Sequence, residues 1–144
     1  EMVLKILSDY GYTNKKDNCI LQCFDAKELQ SIRIELKSEL FLVQLIESPE
    51  ETKQLQHFAR YADGIGPWYT QILDKKVDGK WQFTALVKEA HQLGLKVHPY
   101  TFRADDLGEF LSFDNMIQTL LIEANVDGAF TDFPDKMISF LKKK

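Results

Sequence analysis

The side chains best suited to chemistry are concentrated in one stretch of the sequence, GLKVHPYTFRADD, at residues 94–106. Within it, His98 is a candidate general acid or metal ligand, and Arg103 carries a guanidinium group of the kind that binds phosphate through two parallel hydrogen bonds. Tyr100 combines an aromatic ring with a hydroxyl group. No second histidine stands at metal-ligand spacing, so a hydrogen-bonded histidine in the wall of a site is the simpler interpretation of His98.

Arg103 also has a simple alternative role. Side chains alternate between the two faces of an extended strand, which places Arg103 on the opposite face from Tyr100. There it can form an ion pair with Asp105 or Asp106 at the surface. A phosphate-binding role for Arg103 therefore does not follow from the sequence.

The elements that position these residues follow a repeated pattern. Short apolar runs alternate with segments of helical periodicity, which is typical of a parallel α/β sheet. The predicted strands are CILQCF (19–24), LFLVQLI (40–46), ADGIGP (62–67), LKVHPYTF (95–102) and GAFTDF (128–133). An amphipathic helix is predicted at the start of the chain, and each strand is followed by a predicted helix. Between the third strand and its helix lies a looser segment (68–81) with a turn at Asp78 and Gly79.

The sequence predicts which residues face inward on two of the helices. The helix predicted from Gln82 has Phe83 on its apolar face and ends at Gly94, a residue suited to the left-handed conformation after a helix. The last helix is predicted to turn Met137, Ile138 and Leu141 inward.

The order of elements is compatible with two architectures. A helix followed by about five βα units forms either an open doubly wound sheet or a consecutive part of a (β/α)₈ barrel. A complete barrel typically needs about 250 residues, and the chain has 144. Length alone therefore favours the doubly wound sheet.

In both architectures, ligands bind at the carboxyl ends of the strands. With a side-chain period of two, Gln22 and Phe24 share one face of the first strand, and the same rule predicts that His98, Tyr100 and Phe102 point one way. The candidate site residues at these ends are Gln22, Phe24, Gln44, His98, Tyr100 and Phe102.

The two carboxylates at strand ends have structural alternatives. Asp25 precedes a helix and is explained by a capping role. Asp132 is a candidate acid or ligand, but a short carboxylate just before the helix predicted from Pro134 is equally suited to the backbone amides of that helix. No GxGxxG, GK[ST] or GxSxG motif occurs, so the sequence contains no complete catalytic constellation.

Composition narrows the range of possible partners but does not indicate the compartment. Lys and Arg total 18 against 22 for Asp and Glu, a net charge of −4, which does not favour nucleic acid or an anionic membrane surface. No apolar run approaches the roughly 20 residues of a membrane-spanning helix. Cys19 and Cys23 lie about 13 Å apart in an extended strand, too far for a disulfide, so they leave the compartment open.

A set of longer motifs resembles one known family. LQCFD, VQLI, YADGIGP, GLKVHPYTFRADDL and VDGAFTDFPDK, in this order and covering essentially the whole chain, closely resemble the C-terminal part of bacterial periplasmic-type glycerophosphodiester phosphodiesterases. The resemblance implies a TIM (β/α)₈ barrel and overrides the argument from length. It makes residues 1–144 a single partial domain that contains strands 4 to 8.

The resemblance also implies that substrate binding and catalysis are divided between this chain and the part of the barrel upstream of it. Family members hydrolyse glycerophosphodiesters to an alcohol and glycerol 3-phosphate with two histidines and a divalent metal, usually calcium or magnesium. Their His-Arg, Glu-x-Asp and His-Asp motifs are absent here, so the catalytic and metal-binding groups are expected upstream, and none is assigned in this chain. By the same resemblance, Tyr100 matches an aromatic that packs against the glycerol moiety, and Gln22 and Phe24 match a Gln-Ser-Phe-Asp motif in which Cys23 replaces the serine.

We therefore expect the chain to supply the substrate-binding wall of such an enzyme and to be inactive alone. Its expected partners are a small glycerophosphodiester substrate and either the missing N-terminal part of the barrel or another copy of the chain. The resemblance implies a periplasmic or secreted protein. The alternative is a non-catalytic α/β binding or interaction module derived from the enzyme.

Overall fold

A computed structural model describes residues 2–143 of the chain. The helices are α1 (Met2–Asp9), α2 (Ala26–Gln30), α3 (Leu55–Phe58), α4 (Leu86–Gln92), α5 (Phe113–Ile117) and α6 (Pro134–Leu141). Segments of π-helix, Ser31–Glu35 and Gln118–Glu123, continue α2 and α5, and short 3₁₀ turns span Glu51–Gln54 and Tyr69–Gln71. The strands are β1 (Ile20–Cys23), β2 (Phe41–Ile46), β3 (Gly64–Pro67), β4 (Leu73–Val77), β5 (Lys80–Phe83) and β6 (Lys96–Val97).

Four of the strands form the parallel sheet that the sequence predicts. Their order is β1-β2-β3-β6, and each pair is parallel. The register aligns Gln22 with Val43, and Gln44 with Ile65. Because paired residues of parallel strands share a face, this register fixes which side chains meet on each side of the sheet.

The fifth predicted strand, at residues 128–133, is not a regular strand. This segment runs beside the extension of β6, where the Phe102 N–H donates to the Phe130 carbonyl at 2.8 Å and the Phe130 N–H donates to the Pro99 carbonyl at 3.0 Å. The only bridge between the two segments joins Phe102 to Thr131. Pro99 has no N–H to donate, so a continuous ladder cannot form there.

The two faces of the sheet are buried differently. Leu42, Ile65 and Val97 are fully buried in the core that packs against the helices. On the opposite, inner face, Val43 and Leu45 are also buried but lie outside that core cluster. The inner face is the face that a closed barrel would turn toward its axis.

The segment predicted as looser contains an antiparallel hairpin of β4 and β5. The predicted turn is confirmed: Asp78 and Gly79 have φ angles of 50° and 75°, which suit a two-residue hairpin turn. β4 and β5 were not predicted as strands, because β4 is largely exposed and its sequence does not alternate between apolar and polar residues. Trp81 anchors the hairpin by packing against Phe110, with ring centroids 6.2 Å apart.

The helix predicted from Gln82 begins only at Leu86, because Phe83 belongs to β5. Its predicted end is confirmed: Gly94 has a φ of 76°, and the Leu95 N–H donates to the Ala90 carbonyl at 2.9 Å, closing a Schellman motif.

The inward face of α6 differs from the prediction. Phe140 is buried and Met137 packs against the core, whereas Ile138 and Leu141 are 51% and 47% exposed. The helical period was therefore right, but the buried stripe is rotated toward Phe140. Among the described helices, none has the length and apolar character needed to cross a membrane.

Candidate functional site

A cleft of about 390 Å³ opens at the carboxyl ends of the strands, on the inner face of the sheet. The residues that line it are Gln22, Phe24, Leu45, Tyr100, Thr101, Phe130, Thr131 and Asp132. The structure thus brings together three of the six predicted site residues, Gln22, Phe24 and Tyr100. Leu45 and Phe130 were missed because apolar side chains in strands were counted as core.

An aromatic pair forms one wall of this cleft. The rings of Phe24 and Tyr100 meet edge to face, with centroids 5.6 Å apart and planes at 86°. The Tyr100 hydroxyl donates to the Ile46 carbonyl at 2.9 Å. Burial raises the pKa of this hydroxyl, and the nearby carboxylates of Glu47 and Glu51 raise it further. Tyr100 therefore presents its ring, rather than an ionised oxygen, to the cleft.

Gln44 lies on the other face of the sheet and does not reach the cleft. Its side chain amide donates to the carbonyls of Phe24 at 2.9 Å and Leu45 at 3.0 Å, and its oxygen accepts from the Tyr61 hydroxyl at 2.8 Å. Burial raises the pKa of Tyr61 to about 12, which keeps it a donor. Only 1% of Gln44 is exposed, so the structure corrects its assignment to the substrate wall: its polar groups serve the fold.

His98 lies in a different cleft, of about 620 Å³, at the amino ends of the strands. Its ring stacks on Phe41, with centroids 6.0 Å apart and planes at 9°, and meets Phe130 edge to face. Burial lowers the pKa of His98, with opposing contributions from Asp127, which raises it, and Lys96, which lowers it. The structure therefore separates His98 from the cleft that Tyr100 lines.

Phe102 is fully buried in the hydrophobic core. Regular strand geometry ends at Val97, so the alternation that predicted a shared direction for Tyr100 and Phe102 does not extend this far. The structure corrects that expectation and does not place Phe102 in the cleft.

Arg103 forms ion pairs with two aspartates, Asp105 and Asp132. Its guanidinium donates to Asp105 from Nε at 3.1 Å and from Nη2 at 2.8 Å, and to Oδ2 of Asp132 from Nη1 at 2.9 Å. The hydrogen bond with Asp105 and its charge raise the pKa of Arg103. The predicted pairing with Asp105 is confirmed. Asp132 does not cap α6, whose N-cap residue is Phe133 and has no side-chain cap.

Comparison with known proteins identifies the family. The model of the glycerophosphoryl diester phosphodiesterase family matches residues 1–136. The chain belongs to this family. It is 39% identical to a glycerophosphodiester phosphodiesterase of Haemophilus influenzae, over 96% of this chain and 46% of that protein. It is 26% identical to one of Treponema pallidum, over 99% of this chain and 48% of that protein.

Solved structures show the shared fold. Two crystal structures assigned as glycerophosphoryl diester phosphodiesterases, from Silicibacter pomeroyi and Agrobacterium tumefaciens, superpose with TM-scores of 0.69 and 0.68, at 21% and 10% identity. The alignments cover 98% and 99% of this chain but 42% and 50% of those proteins. The fold is thus that of TIM-barrel family members, and the chain spans about half the length of the curated relatives it matches.

The described residues, 2–143, do not fit the divalent metal that the family implies. Within residues 2–143, no group of three or more His, Cys, Asp or Glu side chains is arranged to hold a metal ion. The carboxylate in the cleft, Asp132, is engaged by Arg103. No chemical step through a metal is therefore assigned to these side chains.

Proposed function

We propose that this chain is the C-terminal part of a barrel enzyme that hydrolyses glycerophosphodiesters to glycerol 3-phosphate and an alcohol. In this proposal the chain contributes the part of the barrel from strand 4 to strand 8. Family membership supports the reaction class, and alignment to about half of each relative supports the assignment to a partial barrel.

The cleft at the carboxyl ends of the strands carries the proposal. Ligands of barrel enzymes bind at this end, and here Phe24 and Tyr100 form an aromatic wall beside the amide of Gln22. An aromatic ring packs well against the carbon skeleton of glycerol, while neighbouring polar groups contact its hydroxyls. These three residues are therefore the proposed substrate-binding wall.

The remainder of the barrel is the proposed partner of this chain. β1 forms an edge of the sheet, and an unpaired edge offers backbone groups for another strand. The first helix exposes Met2 by 78%, Val3 by 55% and Ile6 by 50%. An N-terminal half of the same barrel, or a second copy of the chain, would cover these groups.

We further propose that the complete enzyme binds a divalent metal, calcium or magnesium, through residues outside this chain. The same resemblance to periplasmic-type enzymes leads us to propose a periplasmic or secreted location. Cell fractionation followed by immunodetection tests the location, and recovery of the protein in the cytoplasmic fraction alone would contradict it.

The decisive experiment assays glycerophosphocholine hydrolysis with added calcium or magnesium. The polypeptide that joins this chain to an upstream half with the His-Arg and Glu-x-Asp motifs should release glycerol 3-phosphate, and a chelator should abolish the release. The 144-residue chain alone is the control and should be inactive. Turnover by the chain alone would refute the division of roles, and ligand binding without turnover by the joined polypeptide would favour a non-catalytic module.

A further inference from the structure

Two hydroxyl groups in the wall of the cleft are already used by the fold. The Tyr100 hydroxyl donates to the Ile46 carbonyl. The Thr131 hydroxyl donates to the Phe102 carbonyl at 2.8 Å and accepts from the Phe133 N–H at 3.0 Å. A ligand would have to displace a backbone partner to accept a hydrogen bond from either hydroxyl. These two residues therefore contribute surface and can act toward a ligand only as hydrogen-bond acceptors.

The polar groups still available in the cleft are those of Gln22, Thr101 and Asp132. Within residues 2–143, the side chains of Gln22 and Thr101 have no hydrogen-bond partner, and Asp132 accepts through Oδ2 from Arg103. Its Oδ1 is left to accept from a ligand. The available set is an amide, a hydroxyl and a carboxylate oxygen, which together accept and donate hydrogen bonds without adding a cation.

The charge around Asp132 disfavours an anion. The Arg103 guanidinium is shared between Asp105 and Asp132, at 2.8 and 2.9 Å. One positive charge therefore faces two negative charges, and Lys136 and Asp106 add one charge of each sign nearby. A phosphate group placed against Asp132 would thus meet a net negative wall. Neutral hydroxyl groups meet no such repulsion, and a carboxylate is a strong acceptor for them.

We infer that Asp132 determines specificity for the glycerol moiety by accepting hydrogen bonds from its vicinal hydroxyl groups. The glycerol carbons lie against the ring of Tyr100, and Gln22 contacts the same hydroxyls from β1. This inference rests on the proposed function and names the part of the substrate that the cleft receives. The phosphate then lies outside this cleft.

Arg103 acts as a positioning residue for this carboxylate. The Asp132 side chain is 58% exposed and caps no helix, so its ion pair with Arg103 is the contact that orients it. Arg103 is in turn fixed by two hydrogen bonds to Asp105. Loss of Arg103 should therefore impair recognition of the diol only while Asp132 is present.

The kinetic test compares two substrates in the polypeptide that contains the whole barrel. Glycerophosphocholine carries the vicinal diol, and bis(p-nitrophenyl) phosphate does not. Asp132→Asn should raise KM for glycerophosphocholine about tenfold or more, as expected for a lost hydrogen bond to a charged group, and leave KM for bis(p-nitrophenyl) phosphate unchanged. Asp135→Asn, which removes the same charge in the first turn of α6, is the matched control. An equal change with both substrates, or none with either, would overturn the inference.

The positioning role is tested with a double-mutant cycle on the same KM. Arg103→Met should raise KM for glycerophosphocholine in the wild-type background but add nothing to Asp132→Asn, and Arg103→Lys should restore part of the effect. Additive effects of the two substitutions would exclude positioning of Asp132 by Arg103.

A binding experiment separates the inference from the proposed function. Amide resonances of Tyr100, Thr101 and Asp132 in the 144-residue chain should shift saturably with glycerol, much less with propan-1-ol, and not in Asp132→Asn. Shifts that are the same in wild type and Asp132→Asn, or absent from wild type, would overturn the inference. If the shifts occur as expected but the complete barrel does not hydrolyse glycerophosphocholine, the proposed function fails and recognition of the diol stands.

Discussion

The hydroxyl of Tyr100 donates to the carbonyl of Ile46 at 2.9 Å, although β3 lies between β2, which carries Ile46, and β6, which precedes Tyr100. This bond ties the irregular segment after β6 to the carboxyl end of β2. It also uses the one hydrogen that the Tyr100 hydroxyl can donate. The ring is then left to form the cleft wall with Phe24.

Substitutions at Tyr100 should separate the hydroxyl from the ring. Tyr100→Phe removes a single hydrogen bond and should lower the free energy of unfolding by about 0.5–1.5 kcal/mol, with little change in KM for glycerophosphocholine in the complete barrel. Tyr100→Ala removes the ring and should raise KM far more than it weakens metal binding. Chemical denaturation and steady-state kinetics measure the two effects. A large KM change in Tyr100→Phe would show that the hydroxyl contacts substrate.

Gln44 should behave as a residue of the fold. Gln44→Ala leaves the carbonyls of Phe24 and Leu45 and the hydroxyl of Tyr61 without their buried partner. We expect a loss of about 2–4 kcal/mol in the free energy of unfolding, measured by urea denaturation. Combining Gln44→Ala with Tyr61→Phe should give a smaller loss, because the Tyr61 hydroxyl, which would otherwise lack a partner, is then absent. Loss of substrate affinity at unchanged stability would restore Gln44 to the substrate wall.

The difference between Gln44 and Tyr100 shows what the sequence can predict. Apolar runs and turn residues located the four parallel strands, because hydrophobic periodicity reports burial directly. The carboxyl ends were therefore located correctly, and Gln22, Phe24 and Tyr100 line the cleft there. Which face a strand residue occupies depends on register with its neighbours, and that is set by tertiary packing. For this reason the sequence could not show that Gln44, a candidate site residue at a strand end, faces away from the cleft.

The segment after Val97 shows a second limit. His98, Tyr100 and Phe102 alternate regularly in the sequence, but Pro99 interrupts the ladder and the three side chains reach an amino-end cleft, a carboxyl-end cleft and the core. Periodicity predicts direction only where the backbone repeats regularly. Leu45 and Phe130 escaped prediction for the converse reason, since nothing in their residue type distinguishes a cleft wall from a core.

His98 should make stability depend on pH. Burial lowers its pKa below the ordinary value of 6.5, so the unfolded chain takes up a proton before the folded chain does. Its contribution to stability is then complete above about pH 6.5 and is lost as the pH falls toward the folded value. His98→Phe, which keeps a ring between Phe41 and Phe130, should flatten this part of the profile. Urea denaturation at several pH values measures this effect, and a profile that His98→Phe leaves unchanged would contradict it.

Gly66 should resist substitution because β2 and the segment that follows β6 crowd its inner face. A Cβ at Gly66 would lie 2.6 Å from Cδ2 of Leu45 and 3.1 Å from the His98 carbonyl. Gly66→Ala should cost about 1–3 kcal/mol of unfolding free energy. Leu45→Val removes the nearest atom and should relieve part of that cost. Leu45→Val should not reduce the cost of Gly64→Ala. A Cβ at Gly64 would lie 2.8 Å from the Lys96 carbonyl oxygen, and a backbone atom cannot rotate away.

The isolated chain should associate with itself through its exposed apolar surface. Ile6 on α1 and Ile138 on α6 are 50% and 51% exposed, and β1 presents an edge that can pair with another strand. Burying such groups is favourable, so sedimentation equilibrium should show a mass that rises with concentration.

Replacing Ile6 and Ile138 by Glu should reduce this association, because a charge buried in an interface is costly. The matched control is Leu111→Glu, at a residue that is 91% exposed and belongs to neither α1 nor α6, and it should leave the mass unchanged. Addition of the upstream half of the barrel should convert the wild-type chain to a complex of defined mass, and the double variant should form this complex less readily. A wild-type chain that stays monomeric at every concentration would show that these apolar groups need no partner.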